Sequence, residues 1–465
     1  MVHKYILFGY NIAIDVESGA VHILSDVAYK MLDYIDLMLK ESDTLPKDCP
    51  MDMRYQLAKY DGSEVNGAYA EILELYEKNM LFSKPFDIDG MEPDTFGQVP
   101  IKAMCLHISH DCNMACKYCF AGKGNFGIDK GEKYMSEETG IKAIEFLLKN
   151  SAGRKNLEVD FFGGEPLLNF ETVKNIVAKT RESEKEKNKN VRFTLTTNGT
   201  LLDDEKIAYI NENISNIVLS LDGLQTTNDN MRTYGDGESG VYADIVPLYK
   251  KLIESRGNKD YYVRGTFTRN NLNFAKDAIH IAELGFKNVS IEPVVAEEED
   301  GYSIRKQDLP IVFREYELLA REIIRKKRRD DDSLNFFHFN IDLDGGPCVY
   351  KRVKGCGAGC EYVAVTPDGD IYPCHQFVGN SEYKLGNVLS EDINKKLMSQ
   401  FYQNNIMSNE YCKDCWVKYF CGGGCVANNV KFNKDIYTPY EIACEMEKKR
   451  IECAVAIKIA TEMTD

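Results

Sequence analysis

Cys112-Asn113-Met114-Ala115-Cys116-Lys117-Tyr118-Cys119 is the stretch that decides how this 465-residue chain is read. Its C-x3-C-x2-C spacing brings three thiolates close together, one short of the four cysteines that usually hold a 4Fe–4S cluster. Three ligands leave one iron open to an outside molecule. Such a site binds a reagent rather than storing electrons, which points to an enzyme. Two plainer readings stand beside it. A zinc knuckle could recruit His110 as a fourth ligand, although zinc sites more often take cysteines as C-x2-C pairs. Buried thiols are the other, and a loop rich in Gly and Lys is a poor place to hide them.

On the C-terminal side of this loop the chain alternates between strand-like and helix-like patterns as far as about residue 329. Strands are predicted at 103–109, 157–162, 191–197, 217–221, 261–267 and 289–292. Helices are predicted at 136–149, 170–187, 203–213, 241–256, 274–284 and 308–328. Six βα units in series predict a parallel α/β sheet, built as a partial (β/α)6 barrel or as a doubly wound sheet. Functional groups then belong where strands end. The cysteine loop follows the first strand, Gly163-Gly164-Glu165-Pro166 the second and Thr197-Asn198-Gly199 the third. Asp222-Gly223 follows the fourth and Pro293 the sixth. Five strand ends converge on one mouth.

The balance of 57 Lys and Arg against 73 Asp and Glu gives a net charge of −16. That argues against nucleic acid as a partner, because phosphate binding needs a basic face. The basic run 325–329 is followed at once by Asp330-Asp331-Asp332 and reads as a solvated helix end. No signal-peptide pattern opens the chain. No apolar run approaches the ~20 residues of a membrane span. A cytoplasmic protein without a membrane partner is expected. Fifteen cysteines in a reducing compartment read as metal ligands or catalytic thiols rather than disulfides. Ten of them fall within 348–453, a second metal region. Its irregular, Gly-rich sequence predicts little apolar core and a fold held together by metal.

Residues 1–85 begin with short strands near 5–8, 11–15 and 20–24, then show three short helical patterns, as in a small winged-helix-like module. A linker rich in Asp, Pro and Gly covers 86–100. The barrel occupies 101–334, and a bridging segment with the C-terminal cysteine region occupies 335–465.

A C-x3-C-x2-C loop after the first of six βα units resembles the radical S-adenosylmethionine (SAM) superfamily. The resemblance implies that a cluster on Cys112, Cys116 and Cys119 binds SAM through its open iron. Reductive cleavage of SAM would then give a 5′-deoxyadenosyl radical that abstracts hydrogen from a substrate. Gly163, Gly164 and Glu165 would hold the methionyl ammonium, glycine permitting close backbone approach. Thr196, Asn198 and Ser220 would contact SAM, Arg232 would pair with its carboxylate, and Tyr118 would pack near the adenine. For Arg232 a surface ion pair is the ordinary alternative.

Cys412-x2-Cys415-x5-Cys421-x3-Cys425, with Cys444 nineteen residues on, resembles the SPASM domain of radical SAM peptide maturases. Cys374 at the end of a G-x4-C run, preceded by Cys356 and Cys360, fits the upstream part. A zinc ribbon is the alternative. The resemblance implies two auxiliary 4Fe–4S clusters, making three in all. Cys412, Cys415, Cys421 and Cys444 would hold the outer one. Cys374 and Cys425 would hold the inner one, with Cys356 and Cys360 completing it. If only one of that last pair ligates, the inner cluster keeps an iron open to a substrate thiolate. Cys348 is a further ligand candidate, while Cys49, Cys105 and Cys453 read as packed thiols. His375 is a candidate proton acceptor, and Trp416 is expected to pack over the outer cluster.

Taken whole, the chain resembles maturases of SCIFF (six-cysteines-in-forty-five) peptides, of the sactisynthase or ranthipeptide type. This implies that residues 1–85 bind a leader peptide along an exposed strand edge at 20–24 and the helix after it. It also implies an intramolecular thioether between a cysteine sulfur and a carbon of another residue, threonine foremost, in a cysteine-rich ribosomally made peptide. The implied partners are that precursor and a low-potential electron donor such as flavodoxin or ferredoxin. Two readings remain beside it. One is formylglycine formation by an anaerobic sulfatase-maturing type of enzyme, which would put an acidic base where this chain has His375. The other is a non-catalytic iron–sulfur carrier or zinc-held scaffold.

Overall fold

Alternating apolar residues at the start of the chain build an antiparallel sheet in the order β1-β2-β3, from β1 (Val2–Leu7), β2 (Tyr10–Asp15) and β3 (Val21–Leu24). The computed structural model describes residues 1–42, 44–85, 99–128, 131–343, 353–390 and 392–462. Phe8 and Gly9 turn the first hairpin with φ of 54° and 89°, the positive pair that matches strand twist in a two-residue loop. Helices α1 (Asp26–Glu41), α2 (Met51–Gln56) and α3 (Gly62–Glu77) follow. The Ser25 side chain accepts the Ala28 N–H at the start of α1, and Asp61 accepts the Ser63 N–H at the start of α3. Met31, Leu32, Ile35, Tyr69 and Ile72 close a core separate from the main one. Because β2 is central, β3 is an edge strand of this sheet, with no further strand on its outer side among the described residues.

The predicted barrel strands appear as β4 (Ala103–Ser109), β5 (Asn156–Gly163), β6 (Asn190–Thr197), β7 (Asn216–Ser220), β8 (Asp260–Phe267) and β9 (Asn288–Pro293). They lie side by side in chain order, all parallel. A doubly wound sheet would reverse that order at a switch point, so the barrel-type arrangement is the one present. Helices on the outside bury the outer face of the sheet, while the inner face lines a cavity. Val159 and Phe161 of β5 and Phe193 and Leu195 of β6 are fully buried, and the two phenyl rings stack at 5.3 Å. The barrel is partial, because β9 pairs onward with β10 (Asn335–Phe336) and β4 pairs with β11 (Tyr362–Val365).

The region after 335 departs from expectation. It is not poor in apolar core. β11 lies parallel to β4, and β12 (Asp370–Tyr372), β13 (Gly386–Asn387) and β14 (Asp392–Ile393) extend one sheet to eleven strands. A 22-residue helix, Glu441–Glu462, packs along the helix Leu309–Lys327 and buries Met446, Ile451, Cys453, Val455, Ile457 and Ile459. Its charged residues sit among apolar ones and hide that face from a reading focused on Cys444. Among the described residues no helix is long and apolar enough to cross a membrane. Most of the 86–100 linker and Cys348 lie outside the described residues.

The N-terminal sheet docks on the cysteine region. Glu17, in the turn before β3, takes an ion pair at 2.8 Å from Lys418, the two side chains being 5% and 6% exposed. Tyr419 donates to the same carboxylate at 2.7 Å. The His3 ring stacks on Trp416 at 3.7 Å, with 5° between the planes.

Candidate functional site

The cysteine loop leaves the end of β4, and the Gly163-Gly164-Glu165 turn leaves the end of β5 beside it. The two backbones touch. A Cβ on Gly163 would stand 2.2 Å from the Ser109 carbonyl oxygen, and one on Gly164 2.2 Å from that of Asp111. Gly163 has φ of 128°, which only glycine adopts freely. The Gly164 and Glu165 N–H groups donate across this contact to Ser109 and Asp111 at 2.8 and 2.9 Å.

Glu165 is fully buried and accepts three hydrogen bonds. Leu167 N–H (3.0 Å) and the Thr197 hydroxyl (2.8 Å) reach one oxygen, and Asn198 N–H (2.8 Å) reaches the other. Burial outweighs these bonds and raises the carboxyl from 4.5 to about 6. The Asn198 side-chain amide donates to Asn113 Oδ1 at 3.0 Å and approaches Cys112 Sγ at 3.8 Å. Behind it, the Tyr249 hydroxyl donates to the carbonyls of Asn198 and Ser220, tying the ends of β6 and β7 together. Arg232 is 7% exposed, so it is not a surface ion pair. It donates from Nη1 to the Tyr118 hydroxyl at 3.0 Å, and its buried Nε has no hydrogen-bond partner among the described residues. Tyr118 in turn donates to Asp222.

These residues meet in one place. Cys112, Cys116, Cys119, Tyr118, Gly163, Gly164, Glu165, Thr196, Asn198, Ser220 and Arg232 all line a single cavity of about 540 Å³. Burial pushes the Cys112 thiol up to about 12 and raises Cys116 as well. Buried thiols of this kind ionise when a cation is present to hold the thiolate.

The C-terminal cysteines form two groups. Cys412, Cys415, Cys421 and Cys444 line a second hollow of about 520 Å³, together with Trp416. Burial raises Cys421 to about 12 and Cys444 to about 11. In the other group Cys374 has Cys425 and Cys356 as charged neighbours, and Cys425 has Cys356. Cys360 also lies near Cys356. Its buried thiol donates to the Gly357 carbonyl at 3.2 Å and neighbours Lys354, whose ammonium is held by the carbonyls of Phe401 and Asn404. Among the described residues no three His, Cys, Asp or Glu side chains converge closely enough for a single metal ion. Zinc needs thiolates at about 2.3 Å from one centre, whereas thiols spaced around a hollow suit a larger group. Cys49, Cys105 and Cys453 are buried, as packed thiols should be.

His375 lines the first cavity with Cys425, its ring 5.1 Å from Phe162 and 5.6 Å from Phe120. Burial lowers it to about 4, leaving a neutral imidazole. Trp416 does pack at the outer cysteines, and the His3 stack on its other side was not foreseen. Also unforeseen are Tyr249, the specific roles of Thr197 and Asp222, and a charged group on the cavity wall. There Glu292 receives Arg264 at 3.4 Å and His338 at 3.3 Å, and Arg450 reaches His338 at 3.0 Å. Thr197 and Asp222 were visible as polar residues at strand ends. Tyr249 comes from a helix distant in sequence and carried no signal.

The family model of the Radical SAM superfamily matches residues 106–266, and that of an iron–sulfur cluster-binding domain, SPASM, matches 356–416. The chain is 24% identical to the radical SAM cyclopropyl synthase TigE of Paramaledivibacter caminithermalis, over 93% of this chain and 89% of that protein. Among solved structures, native anSMEcpe with bound AdoMet and Cp18Cys peptide aligns with a TM-score of 0.63 at 21% identity, covering 78% of this chain and 100% of that one. Streptococcus suis SuiB bound to precursor peptide SuiA aligns with a TM-score of 0.52 at 17% identity, covering 95% and 98%. At such identities the likeness is one of fold.

Proposed function

From the premise that the chain joins a radical SAM domain to an iron–sulfur SPASM domain, we propose that it is a peptide maturase. It would form an intramolecular thioether, from cysteine sulfur to a carbon of another residue such as threonine, in a cysteine-rich ribosomally made peptide. The observation that carries this reading is the arrangement of the inner thiols. Cys356 lies near Cys374, Cys425 and Cys360, the Cys360 thiol donates to the Gly357 carbonyl, and Cys425, like Cys421 and Cys444, opens onto the cavity that holds the Cys112–Cys119 loop. With Cys360 kept on the Gly357 carbonyl, an inner cluster on the other three cysteines would keep one iron free for a substrate thiolate, beside the cavity where hydrogen abstraction would occur.

The residues fit the cofactors. Three half-buried thiols at the cavity wall suit a 4Fe–4S cluster with an open iron. The Glu165 carboxylate retains acceptor capacity for the SAM ammonium, and Arg232 has an unpartnered buried N–H for its carboxylate. Thr196, Asn198, Ser220 and the Gly163-Gly164 backbone complete that site, and Tyr118 lies beside it. When bound, the cluster and SAM supply the hydrogen-atom abstraction. The chain's own work is to seat SAM, exclude water and bring sulfur and carbon together. His375 faces the cavity and, being a weak base, would take the proton of a substrate thiol only once that thiol is acidified by binding iron. The electron released on forming the sulfur–carbon bond would pass to the clusters that the C-terminal cysteines would hold. Cys412, Cys415, Cys421 and Cys444 would hold the outer cluster, the third of three.

Residues 1–85 would take the leader peptide as a fourth strand on β3, with α1 as the side wall. SuiB, which aligns over 95% of this chain, is a protein solved with its precursor peptide. A formylglycine-forming enzyme has no use for such a module, and it would carry a carboxylate where His375 stands. Barrel and cysteine region divide at about 334, and a flavodoxin or ferredoxin in the same cytoplasmic compartment would deliver electrons. The test is anaerobic. The reconstituted chain is mixed with SAM, a reductant and a cysteine-rich precursor peptide, and the peptide is weighed. Loss of two hydrogens per crosslink is expected, and an unchanged peptide mass despite SAM cleavage would overturn the reading.

A further inference from the structure

Asp222 sits at the end of β7, 1% exposed, and its carboxylate touches neither SAM's proposed seat nor any cation directly. Both of its oxygens accept from the Tyr118 hydroxyl, at 2.8 and 2.7 Å. One of them also accepts the Thr266 N–H of β8 at 3.0 Å, which fixes the carboxylate to the barrel wall. The Tyr118 hydroxyl, held from that side, receives Arg232 Nη1 at 3.0 Å. The order is therefore carboxylate, phenol, guanidinium. The guanidinium is buried, and its Nε has no hydrogen-bond partner among the described residues.

We propose that Asp222 is the positioning residue that, through Tyr118, holds Arg232 ready for the carboxylate of SAM. This rests on the reading of Arg232 given above. A direct Asp–Arg pair would satisfy the guanidinium and weaken its pull on an incoming anion, since Coulomb attraction falls with distance and with neutralisation. The interposed phenol sets the two charges apart by its own two hydrogen bonds. It fixes the orientation of the guanidinium through one nitrogen and leaves the others for the ligand. A planar fork aligned in advance loses less freedom when it meets a carboxylate.

The alternative is that Asp222 merely staples the cysteine loop to β7 and β8. The two are separated by comparing SAM with decarboxylated SAM, which lacks only the group Arg232 would bind. Full-length, anaerobically reconstituted Asp222→Asn is expected to keep its iron content and its affinity for decarboxylated SAM. Its Kd for SAM is expected to rise about 10–100-fold, the usual cost of losing an outer partner of a ligand-holding group. Tyr118→Phe keeps the ring and removes the link, so it gives the same selective loss if Asp222→Asn fails to assemble. The double variant is expected to lose no more than either single one, as for residues acting through one path. Equal weakening toward both ligands, or no weakening toward SAM in either variant, would overturn the proposal. Failure of the unsubstituted chain to bind SAM would instead sink the functional reading beneath it.

Discussion

Two predictions belong to single residues. Replacing Cys112, Cys116 and Cys119 by alanine should abolish SAM cleavage while the absorption and EPR signals of the C-terminal clusters persist. Retained cleavage would refute the role given to the loop. Glu165 makes a pH prediction. Its folded-state carboxyl titrates at about 6 because burial outweighs its hydrogen bonds. Ionised, it can hold an ammonium group. SAM affinity should therefore fall as pH drops through about 6, and Glu165→Gln should bind weakly at every pH. The stability term has the opposite sign. The folded state holds this proton more tightly than the unfolded one, so Glu165 costs stability as pH rises from about 4.5 to 6. Equilibrium dialysis and thermal melts across that range check the two signs separately. At this scale the sequence was most legible. The chemistry of a thiol or a carboxylate is intrinsic to its residue, and the spacing C-x3-C-x2-C is local. Asp222 and Tyr249 show the limit, because each acts only through partners distant in the chain.

At the scale of elements, strand ends and turns carry the site. Gly163→Ala would force a Cβ against the Ser109 carbonyl at a φ of 128°. Strain at such positions costs about 1–3 kcal/mol before the clash is counted. The variant should melt at lower temperature and reconstitute with less iron at the Cys112–Cys119 loop. An unchanged iron content would show that the two turns need not touch. The six βα units were readable because each repeats a local pattern, apolar strand then amphipathic helix. β11 was not. Four residues cannot announce that they will lie parallel to β4, whose sequence is more than 250 positions away, since pairing of that kind is decided by the partner. The helix Glu441–Glu462 escaped for a different reason. Nine of its 22 residues are Glu, Lys or Arg, and its apolar face becomes clear only against the helix it covers.

The whole molecule is held by contacts between parts that look separate in sequence. Glu17 in the first module and Lys418 between two outer cysteines form a pair with almost no access to water. Removing one partner of a buried pair strands the other charge, at a cost of about 3–5 kcal/mol. Glu17→Gln should therefore speed hydrogen–deuterium exchange in β1 and β2, while the barrel strands exchange as before. Exchange rates unchanged in the module would mean that its own core, not the docking, sets its stability.

That docking has a reciprocal side. The segment from Cys412 to Cys421 is at once the frame of the proposed outer cluster site and the socket for the turn that leads into β3. Whatever tightens that frame would also steady the strand edge proposed to take a peptide, and the reverse would hold with the same factor. An air-damaged outer site would thus be felt first as poor grip on the leader, at the opposite end of the chain. A bound leader, in turn, would shield iron it never touches.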